Sequence, residues 1–387
     1  MAIQVDGNCD ARFERVKEVF EFNLANDLEV GAAVAVTIDG KPIIDLWGGH
    51  ADKARTRSWQ RDTMVNVFST TKGVTAVLAH RLVEQGQLDL DAPVVRYWPE
   101  FAQAGKEEIP VNYLLSHRAG LAAVRKQLPS DAWVNWPVMC AALAAETPWW
   151  EPGTRHGYHA LTFGYLVGEV IRRIVGKTAG AYLRDEISAP NSLDIHIGVD
   201  ASFDPRIAEL VGARPPSPDA PPSPLAEMAS DPESITYKAI ANPVPVVDPQ
   251  LVNSRAWRGA EIPAANGHAT ARDLARLYGA LATGGSLDGG RILTPESIAR
   301  AATEQAIGPD VVLGAKTRWG LGFALTQPET PFGPNPRAFG HPGAGGSLGF
   351  ADPDARVGFG YVMNQMGSDS LIDRRAAALF NALYESL

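Results

Sequence analysis

Cysteine is nearly absent from the 387-residue chain: Cys9 and Cys140 are the only two. They lie far apart and match no metal-ligand or redox spacing, so two ordinary thiols in a reducing compartment are expected. Positive charge is also in deficit. Lys and Arg total 35 against 44 Asp and Glu, a net charge of −9, and no Lys/Arg-rich block creates a local basic field, which argues against nucleic acid as a partner. Long apolar runs are missing too. No stretch reaches the ~18 residues of a membrane span, and the opening MAIQVDGNCDARFERVKEVFEFNLAND is charged and amphipathic, without the apolar run and cleavage site of a secretory leader. A cytoplasmic protein without a membrane span is the expectation.

Cofactor signatures are equally scarce. No phosphate-cradling G-x-x-x-x-G-K-[ST] and no dinucleotide fingerprint follows a strand, so no cofactor is predicted. His156 and His159 are three apart, but no H-E-x-x-H or carboxylate-rich cluster accompanies them, so no metal is predicted either.

What is present is an ordinary globular composition, 45% apolar and 20% charged, long enough for two domains or for one large domain with a helical insertion. Residues 11–26 place apolar side chains at helical spacing behind Asp10, a cap candidate. GAAVAVTIDGKPIIDLWGGH sets two β-rich runs around Asp39-Gly40, a hairpin signal. Helical segments follow near 71–86, 111–116, 137–146, 160–175 and 178–187. RPPSPDAPPSP (214–224) and NPVPVVDPQ (242–250) read as extended surface loops, because proline cannot occupy helix interiors. A helix over 270–283, capped by Thr270, precedes strands in RWGLGFAL and FGHPGAGGSLGFADPDARVGFGYVMN, with a turn at Asp352 to Asp354. A last helix covers about 369–387.

The chemistry concentrates in FSTTKG. Positions i and i+3 share a helix face, so Ser69 and Lys72 can meet across one turn. A serine hydroxyl needs a base to become a nucleophile, and a lysine can serve once burial lowers its pKa. The helix N-terminus leaves N–H groups near Ser69 for an oxyanion. Downstream, EPGTRHGYH places Tyr158 after a turn and before a helix. Its phenol, with a pKa reduced by Lys72, is the expected general base toward Ser69 and acid toward a leaving group. In FGHPGAGGSLGF, small residues around His341, Gly343, Ala344 and Gly345 let a substrate carbonyl approach the backbone, and the Ala344 N–H can pair with that of Ser69 as an oxyanion hole. Trp149, Trp150 and the Pro-rich loops are expected to wall the pocket, and His159 to line the cleft. A rival nucleophile exists: GGSLG fits G-x-S-x-G at Ser347. That motif has meaning between a strand and a helix in a parallel sheet, whereas here another strand follows, so Ser347 is assigned to local structure.

Together, S-x-x-K at the head of a buried helix, Tyr158 after a Pro-Gly turn and a Gly-rich H-x-G strand resemble the motifs of the serine β-lactamase and penicillin-binding-protein superfamily. FSTTKGVTA, LLSHRAGL, EPGTRHGYH, TARDLARLYGAL and GHPGAGGSLGF resemble more closely the family VIII carboxylesterases over residues 10–385. The resemblance implies an α+β fold: an antiparallel sheet flanked by N- and C-terminal helices (residues 1–70 and 255–387) and a mainly helical domain (71–254), with the site between. It also implies a serine esterase taking small or medium apolar esters through an acyl-enzyme. Two departures bear on substrate. Class C β-lactamases carry Tyr-x-Asn where this chain has Tyr158, His159 and Ala160, and Lys-Thr-Gly where it has His341, Pro342 and Gly343. The missing amide and cation disfavour β-lactams and D-peptides and suit a neutral ester. A β-lactamase, D-amino-acid peptidase or acyltransferase is the alternative within the superfamily; a non-catalytic penicillin-fold binding protein is the alternative outside enzymology.

Overall fold

Asp39 and Gly40 both take positive φ, 53° and 74°, the turn geometry whose twist matches that of adjoining strands. Strand β2 (Gly31–Ile38) therefore folds directly onto β3 (Lys41–Gly49), and β1 (Val5–Cys9) pairs antiparallel along the outer edge of β3. The computed structural model describes residues 4–215, 224–369 and 371–387, so most of the Pro-rich segment 214–224 lies outside the described residues. The remaining strands are β4 (Val65–Asn66), β5 (Ile195–Ile197), β6 (Gly267–Ala269), β7 (Ser286–Leu287), β8 (Gly290–Arg291), β9 (Ala306–Pro309), β10 (Lys316–Trp319), β11 (Ala324–Leu325), β12 (Phe339–Pro342), β13 (Leu348–Asp352) and β14 (Val357–Met363). Nine of them form one antiparallel sheet in the order β1-β3-β2-β14-β13-β12-β11-β10-β9, and β4-β6-β5 form a small second sheet.

The helices are α1 (Glu14–Ala25), α2 (Thr70–Glu84), α3 (Val111–Leu115), α4 (Trp136–Ala145), α5 (Thr162–Val175), α6 (Ala179–Leu183), α7 (Pro224–Met228), α8 (Ile235–Ala241), α9 (Pro249–Val252), α10 (Arg255–Gly259), α11 (Ala271–Ala282), α12 (Pro295–Ala301) and α13 (Arg374–Tyr384). On one face of the large sheet α1, the turn that leads into it and α13 bury Phe13, Phe20, Leu24, Leu379 and Phe380 against Phe350 and Phe359, each side chain supplying about 1.5–3 kcal/mol of transfer free energy. The opposite face carries α11. A Cβ on Gly358 would lie 2.1 Å from the Gly279 nitrogen, and one on Gly360 2.2 Å from the Ala271 carbonyl oxygen. Glycine here lets helix backbone rest on sheet backbone. Both chain ends thus build one sheet around a helical centre, the α+β architecture expected.

Three expectations need correction. VDGNC forms β1, which was not anticipated. Residues 242–250 are not wholly extended, because Pro249 opens α9 behind an Asp248 cap, a first-turn position where its missing N–H is no loss. The last helix starts at Arg374, where Asp373 caps it, and not near 369. No helix among the described residues is long and apolar enough to cross a membrane.

Candidate active site

The chain enters α2 through a strained residue. Phe68 has φ 41°, a conformation costly for a bulky side chain and one that persists where surroundings enforce it. It turns the chain sharply from β4 so that Ser69 heads the helix. Ser69 takes helical dihedrals and its side chain makes no capping bond, which leaves Oγ free. One turn on, Lys72 Nζ lies 3.1 Å from Ser69 Oγ and donates to the carbonyl oxygens of Ala160 at 2.8 Å and Ala264 at 2.9 Å.

Lys72 is completely buried and has no carboxylate among these partners. Burial pushes its pKa well below the ordinary 10.5, since a low-dielectric site disfavours the charged form. A neutral amine has two N–H bonds and one lone pair. Two carbonyls take the N–H groups, and the lone pair is left for the Ser69 hydroxyl.

Tyr158 is fixed from behind. Its N–H donates to Asp310 Oδ1 at 3.0 Å, and the same carboxylate accepts from the Val312 and Leu313 N–H groups and the Thr317 hydroxyl. Its ring stacks on Trp319 with centroids 5.5 Å apart, lies 5.0 Å from His117, and carries Lys72 Nζ 4.6 Å above its centroid. Burial raises the phenol pKa, and a hydrogen bond with Ser69 opposes that rise only in part. The expectation of a phenol acidified by Lys72 is therefore corrected: burial favours the neutral phenol over the phenolate.

The Gly-rich segment between β12 and β13 closes the site. A Cβ on Gly343 would stand 2.1 Å from Ser347 Oγ and 2.3 Å from the Val67 carbonyl oxygen, so only glycine lets this loop press against the entry to α2. Ser347 donates to the Val67 oxygen at 2.8 Å, with Thr70 Oγ1 3.2 Å away. It latches the loop to the Ser69 segment and sits in a hairpin, as its assignment to local structure required. Among the described residues, the Ser69 and Ala344 N–H groups have no hydrogen-bond acceptor. Gly343→Ala is expected to cost about 1–3 kcal/mol by overpacking and to lower turnover; a thermal melt with steady-state rates on the same variant checks both.

The other predicted residues separate. His341 is buried, its Nδ1 bonded to the Pro342 carbonyl at 2.8 Å. Burial, and then Lys72, hold its pKa down at about 3. Its ring is neutral, packed near Tyr158 and Trp319. His159 does not line the cleft: it is fully buried, with Nδ1 donating to Gly157 O at 2.7 Å and Nε2 accepting the Leu121 N–H at 3.2 Å. Both ring nitrogens brace backbone, the usual fate of a buried polar ring. Trp149 and Trp150 pack with Tyr158, Ala122, Ala123 and Val312 in a small apolar cluster. Asp310, Trp319 and His117 were missed. Asp310 and Trp319 come from residues flanking and forming β10, more than 150 positions after Tyr158 in sequence, and only pairing of β9 with β10 brings them in.

A family model for β-lactamases matches residues 20–382. The chain belongs to the β-lactamase family. Within it, Esterase/beta-lactamase LipL of Mycobacterium tuberculosis is 36% identical over 366 residues, covering 94% of this chain and 83% of that protein. The crystal structure of a family VIII carboxylesterase is 41% identical, with a TM-score of 0.91 over the whole of both chains. A penicillin-binding-protein homologue from Caulobacter crescentus is 42% identical, with a TM-score of 0.90, covering 99% of this chain and all of its own. This β-lactamase-family chain holds Ala160 and a neutral His341 at the two positions where the sequence departs from the class C motifs, and Ala160 contributes its carbonyl to Lys72.

Proposed function

We propose that the protein is a serine carboxylesterase working through an acyl-enzyme on Ser69. The observation that carries this reading is the 3.1 Å approach of a buried, carbonyl-tethered Lys72 amine to a serine hydroxyl free of any capping duty. The esterase names of LipL and of the family VIII structure support the substrate class.

Lys72 accepts the Ser69 proton as Oγ attacks the ester carbonyl. The Ser69 and Ala344 N–H groups receive the oxyanion. Tyr158, still protonated, donates to the departing alkoxide and recovers the proton held on Lys72. Water then enters, loses a proton to the same pair and cleaves the acyl-enzyme. Ala160 and the neutral His341 offer no amide or cation for a substrate carboxylate, and the partly buried Trp149 and Trp150, clustered with Tyr158, favour small to medium apolar esters.

A panel of p-nitrophenyl esters against nitrocefin tests the choice. Esters are expected to turn over at least about a hundredfold faster in kcat/KM, the size of effect that one missing buried polar contact produces. Fast nitrocefin turnover with negligible ester turnover would establish the β-lactamase alternative instead.

A further inference from the structure

The oxyanion loop is soft by composition. Gly345 and Gly346 take φ 82° and 127°, and two consecutive glycines resist displacement weakly. Ser347 latches the loop on one side, where the Gly343 N–H also donates to the Ser347 carbonyl at 2.7 Å. On the other side lies a guanidinium that the mechanism does not use.

Arg375, in the first turn of α13, is only 5% exposed. Its Nε and Nη2 donate to the two Asp373 carboxylate oxygens, both at 2.8 Å. Nη1 donates to Glu29 Oε2 at 2.9 Å and to the Leu28 and Gln365 carbonyls at 3.0 and 2.9 Å. Nη2 donates to the Gly345 carbonyl at 2.8 Å, an oxygen that also accepts the Gly367 N–H at 2.8 Å. Glu29 in turn holds the Tyr361 hydroxyl on β14. A Cβ on Gly346 would meet Arg375 Nη2 at 2.9 Å and Asp373 Oδ2 at 3.0 Å, so the guanidinium lies flush against the loop.

We propose that Arg375, held by Asp373 and Glu29, is a positioning residue that fixes the Gly343–Gly346 loop so that the Ala344 N–H points into the oxyanion hole. The inference rests on the esterase reading above. The rigid fork of arginine is what allows one side chain to join α13, the approach to β2, the segment after β14 and the loop. Fixing the Gly345 carbonyl anchors the Gly345–Gly346 peptide, two peptide units after the one that carries the Ala344 N–H, and small errors in donor direction are costly where charge develops. Lysine could not hold these partners in one plane.

The test compares Arg375→Met and Asp373→Asn with wild type. Asparagine caps a helix as well as aspartate does, so the second variant keeps α13 while loosening the guanidinium if the first fails to fold. Three readouts apply: kcat and KM on a p-nitrophenyl ester, the rate ratio between that ester and its thiono analogue, and the rate of Ser69 phosphonylation by a fluorophosphonate. A hole that has lost its alignment should lower kcat at least about tenfold, leave KM within about twofold, reduce the oxo-to-thiono ratio in step with kcat, and slow phosphonylation. A folded variant with unchanged kcat and ratio overturns the proposal. So does a loss of kcat at constant ratio, the mark of general loosening. If wild type hydrolyses no ester yet is phosphonylated on Ser69, the ester reading fails alone, and the phosphonylation rates still decide the role of Arg375. If wild type does neither, both fall.

Discussion

Ser69→Ala is expected to lower kcat/KM for ester hydrolysis by at least about 10³-fold, because removal of a nucleophile leaves only binding and the oxyanion hole. Ser347→Ala should retain turnover within about tenfold and lose roughly 1–2 kcal/mol of stability, the cost of a buried acceptor without its donor. The contrast follows from geometry. Ser69 is partly buried at the head of α2 with an amine 3.1 Å from its Oγ; Ser347 is 1% exposed, and its proton is committed to the Val67 carbonyl. Steady-state rates on p-nitrophenyl butyrate, thermal melts of both variants and intact mass after fluorophosphonate treatment check the three parts. A folded Ser347→Ala protein without activity, or an adduct that survives in Ser69→Ala, would refute the assignment. Absence of any adduct on wild type would favour a non-catalytic binding protein.

Much of the fold was legible because its signals are local. Asp39-Gly40 specifies its own turn, and Thr270, predicted as a cap, does accept the Asp273 N–H. Strand β1 was hidden: Asp, Gly and Asn are poor strand formers, and VDGNC is extended only because β3 offers an unpaired edge. Proline in 242–250 misled because its exclusion from helix interiors does not extend to the first turn. At the site, the meeting of Ser69 with Lys72 is a helical spacing and could be read directly. The electrostatics could not. Whether Tyr158 is acid or base depends on its burial among Trp319, His117 and the Asp310 turn, contacts made across long separations. His159 looked like cleft chemistry for the same reason: sequence gives its distance from Tyr158 along the chain but not the Gly157 and Leu121 backbone groups that consume both nitrogens.

Lys72→Met should lower kcat by at least about 10³-fold while leaving the fold intact, since methionine fills a similar buried volume. Its larger value lies in the pH profile. Lys72 must be an amine to accept the Ser69 proton, so activity is present above its pKa and lost as pH falls through it, tenfold per unit for one proton. Because burial holds that pKa well below 10.5, wild-type kcat/KM should reach its plateau far short of that pH. Neighbouring imidazoles cannot generate the same limb near neutrality. Burial keeps His117 well below 6.5, His159 at about 4 and His341 at about 3, so all three are uncharged there and change nothing. The residual rate of Lys72→Met should lose the limb altogether. A wild-type rate still climbing with unit slope to pH 10.5 would mean an ordinary solvated amine, and a limb unchanged in Lys72→Met would assign the base to another group; either result removes Lys72 from the mechanism.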